Sequence, residues 1–246
     1  MLRALWILAP VLLSLPAWAA VACSEQDLDG PYGLQLSGQT TISGTSAPAV
    51  VLARLVFDGE GSVTGYSSVN FNGLLLGNPV TGTYDVQADC TLSLSLQDDS
   101  GAWQHLTGKV TSRGVDLRQT DPGTGVHGPM LKAPDECKPA DFLPRYAVTL
   151  SGTSTPLATG GEARVVSGEG TITATGSGRF HFWIGDLSGD ATADVQPDCI
   201  VNLELNPSGT DTKAMSLRGI MVNGGKDILA IETDPGESVA ARLRAR

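Results

Sequence analysis

The sequence predicts an all-β protein made of two tandem, small, antiparallel up-and-down barrels of about eight strands each, every barrel pinned by one internal disulfide. Three observations lead there: an internal repeat spanning the chain, a two-residue apolar period, and four cysteines in step with the repeat. Two β-sandwiches are the alternative.

The repeat comes first because it divides the chain. Cys23 and Cys137 lie 114 residues apart (137 − 23), and at that offset Tyr32 matches Tyr146 and Leu36-Ser37-Gly38 matches Leu150-Ser151-Gly152. Gly59-Glu60-Gly61 matches Gly168-Glu169-Gly170, and Asp85-Val86-Gln87-Ala88-Asp89-Cys90 matches Asp194-Val195-Gln196-Pro197-Asp198-Cys199. Thr120-Asp121-Pro122-Gly123 matches Thr233-Asp234-Pro235-Gly236. The expected units are a first repeat at 23–133 and a second at 137–246, with Met130 to Glu136, which includes Pro134, as the linker.

Residues 1–19 read as a secretory signal: Arg3, then an apolar run from Ala4 to Leu15 too short to span a bilayer, then the small-x-small site Ala17-Trp18-Ala19. No later apolar run has spanning length, so the expectation is an exported chain, periplasmic or extracellular, with no transmembrane segment after signal removal. Loss of Arg3 takes the net charge from −10 to −11. That balance argues against nucleic-acid or anionic-membrane partners. Ala20-Val21-Ala22-Cys23 also permits a lipoprotein reading. Cys137 occupies the same place in the second repeat without a signal before it, so a bond within each repeat explains both cysteines better.

Of the three pairings open to four cysteines, the duplication selects Cys23 with Cys90 and Cys137 with Cys199. A metal site is not expected, since there is no C-x-x-C and no nearby histidine pair.

The strands follow from alternation. Tyr32, Leu34 and Leu36 alternate with Gly33, Gln35 and Ser37; Leu92, Leu94 and Leu96 alternate with Thr91, Ser93 and Ser95; Val201, Leu203 and Leu205 are their second-repeat partners. Such a period gives strands with one buried face. The 30 glycines break them at hairpin intervals. A meander of this size closes because closure removes exposed edges.

Phe57-Asp58-Gly59-Glu60-Gly61-Ser62-Val63-Thr64-Gly65, Gly82-Thr83-Tyr84-Asp85-Val86, Asp89-Cys90-Thr91 and Thr120-Asp121-Pro122-Gly123 together resemble a group of exported, largely uncharacterised bacterial proteins. Their pattern is similar to the allene oxide cyclase-like and lipocalin-like (calycin) barrel superfamily. The resemblance implies a barrel and carries no catalytic residue onto this chain. The second repeat departs from it: Ser167 stands where the Phe-Asp pair is expected, and Ala193 replaces Tyr84.

No catalytic residue, cofactor or metal is expected. Gly59-Glu60-Gly61 and Gly168-Glu169-Gly170 lack the lysine and helix of a phosphate loop and read as hairpin turns with positive φ. Asp186, Asp190 and Asp194 do not reproduce a calcium loop. His105, His127 and His181 fall in no metal or triad motif, and no G-x-S-x-G is present.

The one aromatic concentration is Arg179-Phe180-His181-Phe182-Trp183-Ile184, aligned with Asn70 to Leu74 of the first repeat. Phe180, His181, Phe182 and Trp183 are therefore the candidate ligand-binding or inter-barrel residues, against an ordinary core-plus-surface strand. The functional expectation is a non-catalytic binding or interaction protein, for an unknown small apolar ligand or a protein partner. A cyclase- or isomerase-type enzyme acting on an apolar substrate inside a barrel is the alternative.

Overall fold

In the computed structural model, which describes residues 22–42, 45–155, 162–176, 178–209 and 213–246, the alternating segments close into two barrels. The signal segment and its cleavage site lie outside the described residues. The first barrel is β1 (Asp29–Ile42), β2 (Thr45–Asp58), β3 (Ser62–Phe71), β4 (Leu74–Val86), β5 (Thr91–Asp98), β6 (Trp103–Thr111), β7 (Gly114–Gln119) and β8 (His127–Lys132). The second is β9 (Arg145–Ser154), β10 (Arg164–Gly176), β11 (Arg179–Ile184), β12 (Leu187–Val195), β13 (Ile200–Pro207), β14 (Met215–Val222), β15 (Asp227–Glu232) and β16 (Glu237–Ala245). All neighbours are antiparallel. β1 closes on β8 through Leu34↔Met130, and β9 on β16 through Val148↔Leu243. Met130 to Lys132 belong to β8, so the linker starts at Ala133.

Inward residues fill each barrel: Leu34, Leu36, Leu92, Leu94, Leu96 and Leu117 in the first, Val148, Val201, Leu203, Leu217 and Leu243 in the second. The disulfides are Cys23–Cys90 and Cys137–Cys199. Each ties the segment preceding the barrel to the β4–β5 or β12–β13 turn. Cys90 and Cys199 both sit in the left-handed region, at φ 68° and 66°, with their N–H groups bonded to Gln87 O and Gln196 O. The repeated Asp-Val-Gln-x-Asp-Cys is therefore one turn built twice. Thr-Asp-Pro-Gly is another: Asp121 Oδ2 accepts from His105 N and Asp234 Oδ2 from Ser216 N, both at 2.8 Å.

Strand register corrects the alignment of the repeats. Tyr32 pairs with Leu55 and Tyr146 with Ile172, so β10 corresponds to β2 at an offset of 117 (172 − 55). Gly168-Glu169-Gly170 thus lies inside β10 and is not a turn; only Gly59 and Gly61 have positive φ, at 75° and 103°. A β-carbon at Gly170 would meet Trp183 O at 1.7 Å, so glycine there serves close strand approach. Ala174, not Ser167, occupies the place of Phe57. Phe180 corresponds to Val63, not to the Asn70–Leu74 stretch. The aromatic core has been redistributed: Tyr32, Phe57 and Tyr84 make edge contacts in the first barrel, and Phe142, Tyr146 and Phe180 cluster in the second.

The hairpin of β3 and β4 is eight residues longer than its counterpart: 19 residues separate the pair Val63↔Gly82, against 11 for Phe180↔Ala191. Its tip reaches the second barrel. The Asn70 amide donates to Glu237 O, Ser238 Oγ donates to Asn70 Oδ1 at 3.0 Å, and Gly236 N donates to Gly73 O at 2.9 Å. An apolar seam continues from there: Val50, Leu52, Leu131 and Ala133 pack against Ile220, Val222, Leu229, Ile231 and Ala240. The buried Gln35 amide donates to Ala230 O and Ala241 O at 2.6 and 2.8 Å.

This seam does not use the aromatic strand. Phe180 and Phe182 point into the second barrel, and His181 and Trp183 are exposed on its outside. The reason is periodicity. β11 buries Phe180, Phe182 and Ile184 on its inner face and carries Arg179, His181 and the exposed Trp183 on its outer one, whereas Val50-Val51-Leu52 and Ile228-Leu229-Ala230-Ile231 are apolar on both faces.

Candidate functional site

One end of each barrel carries the disulfide and the short 3-10 turn preceding the first strand, with Leu28 and Phe142 buried in the two cores; at the first barrel a cavity of about 650 Å³ lies beside this end, lined by Cys23, Leu28, Tyr32 and Cys90 among others. The opposite ends differ. The first barrel opens there into a cup of about 390 Å³. Its depth is apolar: Val51, Val80, Leu96 and Val126. Its rim is polar, with Asn78, Asp98, Gln104, Gln119, Asp121 and Thr124, and the exposed Trp103 stands at its edge. In the second barrel the same end retains about 30 Å³.

Register explains the difference position by position. Where the first barrel has Gly65, Ser67 and Asn78, the second has Phe182, Ile184 and Leu187. Where the first has Asp98, Gln104 and Gln119, the second has Pro207, Met215 and Glu232. Four large apolar side chains plug one mouth, and small or amide groups leave the other open. Eight-stranded barrels have room for a packed interior or one small ligand, and this chain contains one of each.

The rim of the cup is held by short-range bonds. Asp98 Oδ1 accepts from Ser100 Oγ, Ser100 N and Ala102 N at 2.6, 2.9 and 3.0 Å, closing the β5–β6 turn. The Ser100 hydroxyl, outweighing burial and helped by these amides, holds its carboxyl below the usual range. Burial pushes Asp121 up, but bonds from His105 N, Gln119 Nε2 and the His105 ring outweigh it and leave that carboxyl low as well. Both carry charge at neutral pH. Among the described residues, no lysine, arginine or histidine lines the cup.

The histidines stand outside the barrels. His105 lies on the outer wall, stacked on Trp103, with Nδ1 2.6 Å from Asp121 Oδ1. His127 is exposed at the start of β8, and exposed His181 has Nδ1 3.6 Å from Asp190 Oδ1. Among the described residues, no three His, Cys, Asp or Glu side chains gather at one point. Asp186, Asp190 and Asp194 are all exposed.

Of the four candidate aromatic-strand residues, the structure assigns Phe180 and Phe182 to the core of the second barrel and leaves Trp183 hydrogen-bonded to Gly185 O at 2.8 Å. The open cup is a site that sequence reasoning missed. A second overlooked group is Glu232, buried inside the second barrel at the position of Gln119. Burial, with Glu237 and Asp234 nearby and Lys213 opposing, raises its pKa from 4.5 to about 8. Its inward position was readable, since Ile228, Ala230 and Glu232 share one face of β15.

No protein family, curated protein or solved structure matches this chain. The reading of the site therefore rests on its geometry.

Proposed function

We propose that the protein is an exported, non-catalytic binding protein of lipocalin-like architecture that holds a small, largely apolar ligand in the mouth of its first barrel. The carrying observation is the contrast between equivalent mouths within one chain: about 390 Å³ is open at this end of the first barrel and about 30 Å³ at the same end of the second. An open apolar volume costs contacts that a packed barrel would have, and the second barrel shows that the fold packs well without it. The volume falls in the range of small-molecule sites, with an apolar wall and a few convergent polar groups. The signal-like N-terminus and the disulfides support export.

The test is native mass spectrometry of protein purified from its own host, in wild type and in the double variant Ser67→Ile/Asn78→Leu, which gives the first mouth two of the residues that plug the second. The expected result is a retained small molecule in the wild type that is lost in the variant. A variant retaining the same molecule refutes the assignment of the site.

A further inference from the structure

Resting on that reading, we infer that the ligand is an amphiphile that enters apolar end first and leaves a cationic head, an alkylated ammonium or similar group, at the rim.

The layering of the cup sets the orientation. Buried aliphatic side chains form the floor; of the polar lining, Ser67 and Asn78 lie within β3 and β4, where the Ser67 hydroxyl donates to Asn78 O at 3.3 Å, and Asp98, Gln104, Gln119, Asp121 and Thr124 lie at or near strand ends. An apolar end placed deep loses water at no cost to unpaired polar atoms, whereas a polar end placed there would face Val51, Val80, Leu96 and Val126 without partners. The head group therefore stays at the rim.

The charge at the rim sets the kind of head. Asp98 and Asp121 line it from neighbouring turns, β5–β6 and β7–β8, and among the described residues no cationic side chain shares the lining. Asp98 Oδ1 takes all three bonds from its own turn, while Asp121 spends both oxygens on His105 and Gln119. These bonds fix the two carboxylates in place; the donors to Asp98 are all neutral, and Asp121 also faces the His105 ring on the outer wall. An anionic head would approach two fixed negative charges in a chain of net charge −10, and a cation is drawn by both. Trp103 borders the same rim, but its ring stacks on His105 on the outer wall, so its half-exposed aromatic surface (53 %) lies beside the mouth and not within it. The second barrel is the internal control: its mouth has Pro207 in the place of Asp98 and Met215 in the place of Gln104, and it is plugged.

The experiment is titration calorimetry with three probes of matched tail: hexyltrimethylammonium, hexyl glucoside and hexyl sulfate. The expected order in wild type is ammonium tightest and sulfate weakest, with the ammonium about tenfold or more tighter than the sulfate at low salt. That margin shrinks as salt is raised. Gln104→Lys, which adds a cation to the lining and leaves both carboxylates, reverses the order of ammonium and sulfate. If Gln104→Lys does not fold, as judged by its circular dichroism, Thr40→Lys on the other side of the mouth replaces it. A glucoside that equals or exceeds the ammonium, or a lysine variant that leaves the order unchanged, overturns the cationic head. The mouth stands as the site in that case if Ser67→Ile/Asn78→Leu abolishes binding. If that double variant binds all three probes as wild type does, or if wild type binds none of them, the site itself is refuted and the inference falls with it.

Discussion

Replacing Glu232 by glutamine removes one proton-binding group from the inside of the second barrel and changes almost nothing else, since the first barrel already carries Gln119 at the same position. In the unfolded chain this carboxyl titrates near 4.5, and in the fold it holds its proton to about 8. Between those values unfolding releases a proton, so stability falls as pH rises from 4.5 to 8 and is level outside that window. The rise from 4.5 to about 8 corresponds to about 5 kcal/mol. Of this, about 3 kcal/mol has been lost by pH 7. Glu232→Gln should flatten this dependence and be more stable than wild type at pH 8, with little difference at pH 4. Urea unfolding followed through Trp183, in a Trp103→Phe background so that the signal comes from the second barrel, measures it. Parallel pH profiles for the two proteins would refute the placement of a neutral carboxyl inside the barrel.

Three further outcomes follow from the packing. Trp183→Ala should change stability by less than about 1 kcal/mol, while Phe182→Ala, a core truncation, should cost about 3–5 kcal/mol, both measured by urea unfolding followed by circular dichroism. Gly33→Ala places a β-carbon 2.7 Å from Val222 Cγ1 and 3.0 Å from Ile220 Cγ2, so it should cost about 1–3 kcal/mol and split a single calorimetric transition into two as the barrels uncouple. Removing either disulfide, by Cys23→Ala/Cys90→Ala or Cys137→Ala/Cys199→Ala, should cost about 4 kcal/mol for loops of 67 and 62 residues. Nonreducing peptide maps of the wild type should show only these two bridges, and a Cys90–Cys199 bridge would contradict the fold.

What could be read from the sequence was whatever depends on neighbours along the chain. Leu92-x-Leu94-x-Leu96 declares a strand and its inward face without reference to any partner. Cys90 and Cys199 stand out because the turn around them repeats five of six residues, Asp-Val-Gln-x-Asp-Cys. Alignment of the repeats failed where one residue type serves two purposes: glycine makes the Gly59–Gly61 turn by accepting positive φ, and makes the middle of β10 by having no side chain. The seam was partly legible, because Val50-Val51-Leu52 and Ile228 to Ile231 break the alternation that a one-faced strand would keep. The cup was not legible. Its volume is the sum of side chains brought together from different strands, and Gly65 reads as an empty place only once Phe182 is known to fill the equivalent one.

The seam between the barrels has a further consequence. It joins β1 to β3 and the end of β8 of one copy to β14 to β16 of the other, so the two copies contribute different surfaces. A head-to-tail contact between duplicates leaves one unused half at each end, and an unused half invites a third barrel and then a fibre. This chain has closed both ends with charge. The first-barrel counterparts of Ile220, Leu229, Ile231 and Ala240 are Lys109, Asp116, Arg118 and His127. The second-barrel counterparts of Val50, Leu52 and Leu131 are Ser167, Glu169 and Arg244. Every one of those seven is exposed. The divergence of the two repeats thus shows in this surface as well as in the mouths: each half is apolar where it meets its neighbour, and exposed polar or charged side chains stand at the equivalent positions that meet no neighbour within the chain.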